Sequence, residues 1–321
     1  MIGAGARSAW QSPDVTVPRR YSFTRYLAAK RPIDDRSLNR PVWEALVDSL
    51  RDRCEPEPAH ILELGAGIGT MVERAWEWGL APRAAYTAVD SSATYLFAAR
   101  RHLSGWARRS GIDRHDGATG RQRFHTSSAD WSLDLRRADA FDVVRRTRRR
   151  WDLIIGHAFV DLIDLSSGLP RLLSVLPPDG LFYFSLAFDG ATILEPLVDR
   201  QLDEHIERLY HQTMDRRTEG GKPSGDSQTG RHLPAAIEAA GGEVSQMGAS
   251  DWVVSPRRRM YLGDEAYFLH FIVHTIANAL RSTSEIPAPQ LRRWVQARHR
   301  QIERGELTYI AHQLDVLGRM L

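Results

Sequence analysis

The chain has 321 residues, enough for one large domain or two modest ones, and 42% of them are hydrophobic, ample for a core. Its formal charge is only +3, and Cys54 is its single cysteine, which excludes an intramolecular disulfide and a cysteine-rich zinc site and suits the cytoplasm. No apolar run approaches a membrane span, and the first seven residues, Met1 to Arg7, lead into no apolar stretch of a secretion signal, so a soluble protein with no membrane contact is expected.

Lys30 and Lys222 are the only lysines, so the positive charge is almost entirely arginine. The densest basic block, Arg145 to Arg150, carries no interleaved aromatics; it reads as a solvated helix end, and a nucleic-acid partner is disfavoured. Residues 1–20 are small and polar, with Pro13 and Pro18, a composition that predicts disorder. Residues 21–57 read as an N-terminal helical cover. Asp34 or Asp35 can cap a helix there, and Val42, Leu46 and Leu50 form a helical stripe. Tyr26, Lys30 and Arg36 are candidates to reach a ligand from this cover, with packing and surface charge the plainer reading of each.

The most informative stretch follows, Ile61-Leu62-Glu63-Leu64-Gly65-Ala66-Gly67-Ile68-Gly69-Thr70. It reads as a strand entering a tight turn where bare glycine backbone can approach a ligand, and then a helix whose N-terminal amides face a carboxylate. A second apolar run, Tyr86 to Val89, ends in Asp90, and an acid at that strand tip can accept from both hydroxyls of a ribose. Helices are predicted over 70–79, 91–108, 140–150 and 168–175, alternating with strands as a parallel sheet requires. The polar, glycine-containing segment 109–127 reads as an inserted loop. The third strand is placed at Leu133 to Ala140 and the fourth at Trp151 to His157. A Pro177-Pro178-Asp179-Gly180 turn then leads into a fifth, Leu181 to Ser185.

The Glu-x-Gly-x-Gly-x-Gly form of 63–69 resembles motif I of the class I S-adenosylmethionine-dependent methyltransferases, and the resemblance covers about residues 58–190. It departs from the dinucleotide fingerprint, whose third glycine is here Thr70. The resemblance implies a seven-stranded Rossmann-like methyltransferase sheet, α/β and mostly parallel with an antiparallel last strand, helices on both faces and a helical cover. It implies S-adenosyl-L-methionine as cofactor, with Glu63 towards the ammonium group, Gly65, Ala66 and Gly67 as the loop, and Asp90 with Ser91 at the ribose. Asp139 and Ala140 then lie at the adenine, Asp130 being the rival acid, and His157 lies beside the methyl group. The Asn- or Asp-Pro-Pro-aromatic motif of enzymes that methylate base amines or protein glutamine is missing after strand four, where Gly156-His157-Ala158-Phe159-Val160-Asp161 stands.

A histidine at that point suits removal of a proton from an acceptor, which makes His157 the leading base and Asp161 the second. The plainer readings are a histidine bonded to backbone and, for Asp161 and Asp164, helix caps. Beyond strand five, a helix is predicted over 194–216, a polar loop over 217–230 and a helix from 231. A sixth strand is predicted from Glu243, continuing near Trp252, with helices over 264–282 and 287–304 and a last strand over 307–317. The methyltransferase domain is thus expected over 58–321, with helical or lid insertions at about 194–240 and 263–304. The segment 205–232 reads as a substrate cover. Tyr210, His211 and Arg231, with Trp252 nearby, are the substrate candidates, and Asp251, Tyr261 and His312 could line the same pocket. His270 and His274 read as structural, and no metal is expected. The acceptor is expected to be a small molecule, methylated on oxygen. An RNA or protein acceptor, a non-catalytic binding protein and an NAD-dependent oxidoreductase are the alternatives, the last opposed by Glu63 and Thr70. The oligomeric state stays open, a homodimer included.

Overall fold

The computed structural model describes residues 15–54, 56–117, 120–147, 149–219 and 221–321, so most of the segment expected to be disordered lies outside the described residues. The helices and strands are, in chain order, α1 (Phe23–Ser37), α2 (Arg40–Cys54), β1 (Ala59–Leu64), α3 (Thr70–Glu77), β2 (Arg83–Asp90), α4 (Ala93–Arg109), β3 (Asp113–Asp116), β4 (Gln122–His125), β5 (Asp130–Arg137) and α5 (Ala140–Arg146). There follow β6 (Leu153–His157), a 3-10 turn (Val160–Leu162), α6 (Leu165–Leu173), β7 (Leu181–Glu195), α7 (Arg200–Asp215), β8 (Thr218–Glu219), β9 (Lys222–Pro223), α8 (Thr229–Ala239), β10 (Gly242–Ala249), β11 (Trp252–Val254), α9 (Glu265–Ala279), α10 (Ala288–Glu303) and β12 (Thr308–Met320).

These elements form two compact units. One holds the described part of Met1–Ser37 with Gly190–Arg217 and Asp251–His312; the other holds Leu38–Asp189, Thr218–Ser250 and Gln313–Leu321. The expected N-terminal cover is therefore divided, α1 belonging to the first unit and α2 to the second. The expected substrate cover at 205–232 is divided too, between Arg217 and Thr218.

In the second unit the sheet runs β10-β12-β7-β6-β1-β2-β5-β4-β3. Numbered by their order in the chain, β5, β2, β1, β6 and β7 give 3-2-1-4-5, all parallel, as in dinucleotide-binding sheets. The difference is at the far side, where β12, last in the chain, lies between β7 and β10 and runs antiparallel to β10. This is the Rossmann-like, mostly parallel sheet with an antiparallel last strand. Its central strands are buried on both faces, which is why their sequences are near-continuous apolar runs. Ile61, Tyr86 and Ile155 face one core, with Trp131 and Phe124, and Leu62, Leu64 and Ile154 face the other, with Leu169 and Leu172.

The sheet has ten strands among the described residues, against the expected seven. The segment taken for a loop contributes β3 and β4, an antiparallel hairpin added beside β5, and the continuation of strand six is a separate strand, β11, on Tyr309–Ala311 of β12. The hairpin was hidden because an edge strand with one face in solvent tolerates charge, and Asp113-Arg114-His115-Asp116 presents it; only Gln122 and Phe124 of β4 turn inwards. The third core strand begins earlier than expected, at Asp130, and ends at Arg137. Neither Asp34 nor Asp35 caps a helix. Both lie inside α1, and Asn39 instead serves α2, its Oδ1 accepting from the Val42 amide.

In the first unit α1, α7, α9 and α10 pack with β11. Tyr26 stacks on Phe271 and Phe268, at 4.2 and 5.6 Å between ring centres. Asp203 is the polar centre of this unit: it accepts from Trp294 Nε1 at 2.6 Å, from Arg298 at 2.5 Å and from the amides of Val198 and Asp199. Arg298 is fully buried, and its other terminal nitrogen donates to Pro196 O and Gln301 Oε1.

Candidate functional site

The strand order brings the tips of β6, β1, β2 and β5 side by side, and the sequence-predicted cofactor residues lie along those carboxyl ends. Gly65, Gly67 and Gly69 take φ of 71°, 53° and 79°, a left-handed run natural only to glycine. The loop is closed by Ala66 N donating to Val89 O and by Gly69 N donating to Ala66 O. Gly69 then precedes α3, which starts at Thr70.

Asp90, half-buried at the tip of β2, ties this loop to the next helix. Its Oδ2 accepts from Gly67 N at 2.9 Å and its Oδ1 from Ser92 N at 2.8 Å, while the Ser92 hydroxyl caps α4. Each bond uses one lone pair, so the carboxylate is aimed and still has acceptor capacity. Ser91, exposed beside it, accepts from Arg137 through its carbonyl. Asp139 stands just past β5 as the N-cap of α5, exposed, accepting from Phe141 N and Asp142 N; Ala140 is the first residue of that helix. Asp130 is at the opposite, amino end of β5, held by both nitrogens of the Arg123 fork at 2.8 and 2.6 Å.

Glu63 lies beneath the loop. It is almost wholly buried, its Oε2 accepts from Tyr86 OH at 3.0 Å, and burial pushes its pKa up to about 8 against the Tyr86 hydrogen bond and the Arg74 charge. Phe159 is a neighbour the sequence did not single out: a Cβ placed on Gly65 would lie 2.8 Å from its ring.

His157 ends β6 directly opposite Ser185 of β7, and its Nδ1 is 2.9 Å from the Ser185 hydroxyl. Nδ1 thus has a side-chain partner. Ala158 follows at φ 49°, strained for a residue with a Cβ. Asp161 lies in the 3-10 turn, and Asp164, not Asp161, caps α6, accepting from Ser166 N and Ser167 N.

The substrate candidates are divided between the two units. Arg231 belongs to the second unit, where its amide and Nε donate to Asp189 Oδ1 at 2.9 and 2.8 Å. The others belong to the first unit. Trp252 is buried and donates from Nε1 to Asp34 Oδ1, beside the buried Lys30–Asp34 ion pair. Arg36 pairs with Glu265 at 2.6 Å. His211 Nε2 is 3.0 Å from Thr192 Oγ1, and burial holds its pKa below the ordinary value. Tyr210 borders a cavity of about 210 Å³ together with Thr192, Glu207 and Trp294. His312 pairs with Asp251 at 2.7 Å, and Tyr261 is buried, donating to Leu307 O. His270 is fully buried, while His274 stacks on Tyr21. Among the described residues no group of three or more His, Cys, Asp or Glu side chains is placed to hold a metal ion, and no helix is long and apolar enough to cross a membrane. Of the basic block, Arg145 pairs with Asp142, and Arg150 donates to the carbonyls of Ser174 and Leu176.

No protein-family model matches the chain, and no curated protein does. Several of the solved structures that the chain resembles are methyltransferases. A candidate sarcosine dimethylglycine methyltransferase from Galdieria sulphuraria is 12% identical with a TM-score of 0.41, over 96% of this chain and 93% of that one. A candidate methyltransferase from Thermoplasma acidophilum is 14% identical with a TM-score of 0.37, over 82% of this chain and 68% of that one. Geranyl diphosphate C-methyltransferase from Streptomyces coelicolor A3(2), whose structure contains Mg2+, geranyl diphosphate and S-adenosyl-L-homocysteine, is 12% identical with a TM-score of 0.36, over 87% of this chain and 80% of that one.

Proposed function

We propose that this chain is an S-adenosylmethionine-dependent methyltransferase acting on a small-molecule acceptor, with oxygen as the favoured atom. The observation that carries the reading is the alignment of the left-handed glycine loop, Asp90 and Asp139 along the carboxyl ends of three adjacent parallel strands, β1, β2 and β5, the edge at which open α/β sheets bind ligands. A nucleoside fits these residues. Asp90 is half-buried, already oriented by two amides and able to accept from two vicinal hydroxyls, and the Asp139 side chain is exposed at the neighbouring strand end. The loop and Asp90 would hold the ribose side, Asp139 and Ala140 the base, and the loop amides with the start of α3 the amino-acid tail. When bound, the donor supplies an electrophilic methyl group on a sulfonium.

His157 has the chemistry to take the proton that a hydroxyl acceptor must lose, and Asp161 is four residues on in the same turn region. A hydroxyl is a weak nucleophile until deprotonated, so an imidazole at this strand tip favours oxygen.

Calorimetry with S-adenosylhomocysteine and NAD tests the reading. S-adenosylhomocysteine should bind, and Asp90→Ala should weaken it by about 1–3 kcal/mol, the loss expected for hydrogen bonds to a charged group. Binding of NAD alone would overturn the cofactor assignment, and unchanged affinity in the variant would remove Asp90 from the site.

A further inference from the structure

A groove of about 830 Å³ lies between α4 and the β3–β4 hairpin, all of it within the second unit. Arg100, Arg101, Ser104 and Arg108 line it from α4, at spacings that put them on one face of the helix. Asp113, Arg114 and Asp116 line it from β3.

The acids of this groove do not neutralise its bases. Asp116 is engaged already: its two oxygens accept from the Arg114 fork at 2.9 and 2.8 Å, and Oδ1 also accepts from Gln122 Nε2 at 3.2 Å. That leaves Asp113, which is exposed, against three arginines. The side chains of Arg100, Arg101 and Arg108 are exposed and make no hydrogen bond or ion pair with a described residue, whereas Arg123, Arg136 and Arg145 of the same unit each pair with an aspartate. The helix dipole accounts for Arg108, in the last turn of α4, but not for Arg100 and Arg101, about two turns earlier. Three like charges on one helical face repel, and an anion seated among them relieves the repulsion. Guanidinium forks match phosphate oxygens two at a time, and the groove has the volume of a small-molecule site.

We propose that this groove binds a small phosphorylated ligand bearing hydroxyl groups, with its phosphate on Arg100, Arg101 and Arg108 and its hydroxyls towards Asp113. A carboxylate repels an anion but accepts from hydroxyls, so Asp113 sets which end of the ligand faces β3. A sugar phosphate and a nucleotide share this chemistry. The groove is distinct from the proposed donor site. α4 starts beside Asp90, and at a rise of ~1.5 Å per residue Arg108 lies about 22 Å along the helix from Ala93. Neither the groove nor its charge depends on which donor binds at the other end of α4.

Calorimetry of the full-length protein with ribose 5-phosphate, ADP and inorganic phosphate tests the assignment. At least one of the two sugar-bearing compounds should bind more tightly than inorganic phosphate; binding of ribose 5-phosphate marks a sugar-phosphate site, and binding of ADP alone a nucleotide site. Arg100→Ala and Arg101→Ala should each weaken that binding about tenfold or more, the effect of losing hydrogen bonds to a charged group. Both replacements sit on an exposed helical face where alanine is well tolerated, and thermal melting confirms that each variant is folded. Asp113→Ala should bring the affinity towards that of inorganic phosphate. Arg136→Ala, outside the groove, and Asp90→Ala, at the donor edge, should leave it unchanged. No binding of either sugar-bearing compound, affinity no better than that of inorganic phosphate, or binding that depends on Asp90 and not on the arginines overturns the proposal. So does a short single-stranded RNA that binds more tightly than both compounds and needs the same arginines, which would make the groove a nucleic-acid surface.

Discussion

Gly65 shows how much one residue constrains this site. Its φ of 71° costs any L-side chain about 1–2 kcal/mol, and the direction its Cβ would take is filled by the Phe159 ring. Gly65→Ala should therefore lower stability by about 2 kcal/mol or more, read from the urea midpoint, because the backbone strain and the overlap add. A shift worth less than about 0.5 kcal/mol would mean that the loop relaxes freely. His299 makes the corresponding case for charge. Its Nδ1 lies 2.8 Å from Nδ1 of the fully buried His270, and burial together with His270 and His274 lowers its pKa from 6.5 to about 4. The unfolded chain takes up that proton first, so the contribution is complete above pH 6.5 and is lost as the pH falls towards 4. Stability should fall across that window, and His299→Gln should flatten the slope; an unchanged slope would assign the acid sensitivity to other groups.

Among the elements, the β3–β4 hairpin teaches most. The charged residues that made it read as a loop are those an exposed edge strand carries to discourage pairing with another chain. Its anchor is Phe124, 1% exposed and close to Trp76 and Trp106. Phe124→Ala should cost about 3 kcal/mol or more, the usual loss for an aromatic removed from a core, whereas Arg114→Ala on the outer strand should stay within about 0.5 kcal/mol. Thermal unfolding of the two variants checks this. Similar small effects from both would mean that the hairpin is not packed as the structure has it. The helix caps divide the same way. Asp139 and Asp164 were read in sequence as acids at strand and helix ends, and both do cap helices, α5 and α6. Asp34 carried the same signal yet lies inside α1, because burial beside Lys30 and Trp252 outweighs a local preference for the cap.

At the scale of the whole molecule, each of the two units offers its own test. Every proposed donor residue lies in the second unit, and the buried Asp203–Arg298 pair lies in the first. Asp203→Asn leaves a fully buried guanidinium with a weaker partner and should cost about 3 kcal/mol or more. Below its lowered melting transition, affinity for S-adenosylhomocysteine in calorimetry should be unchanged. A parallel loss of affinity would mean that the two properties are coupled. The glycine loop, Asp90 and the alternation of strands and helices were legible in the sequence because each is local: a left-handed turn needs glycine within a few residues, and a buried parallel strand is a short apolar run. So were the candidate roles of Asp139 and His157, each set at a strand end. What only the tertiary structure decided is which distant residues meet: Arg231 on Asp189, Trp252 on Asp34, and Asp315, in the last strand, on Tyr183. None of those pairings has a local signature, because a hydrogen bond between residues more than forty or a hundred positions apart is fixed by strand order and register, and these emerge only when the sheet assembles.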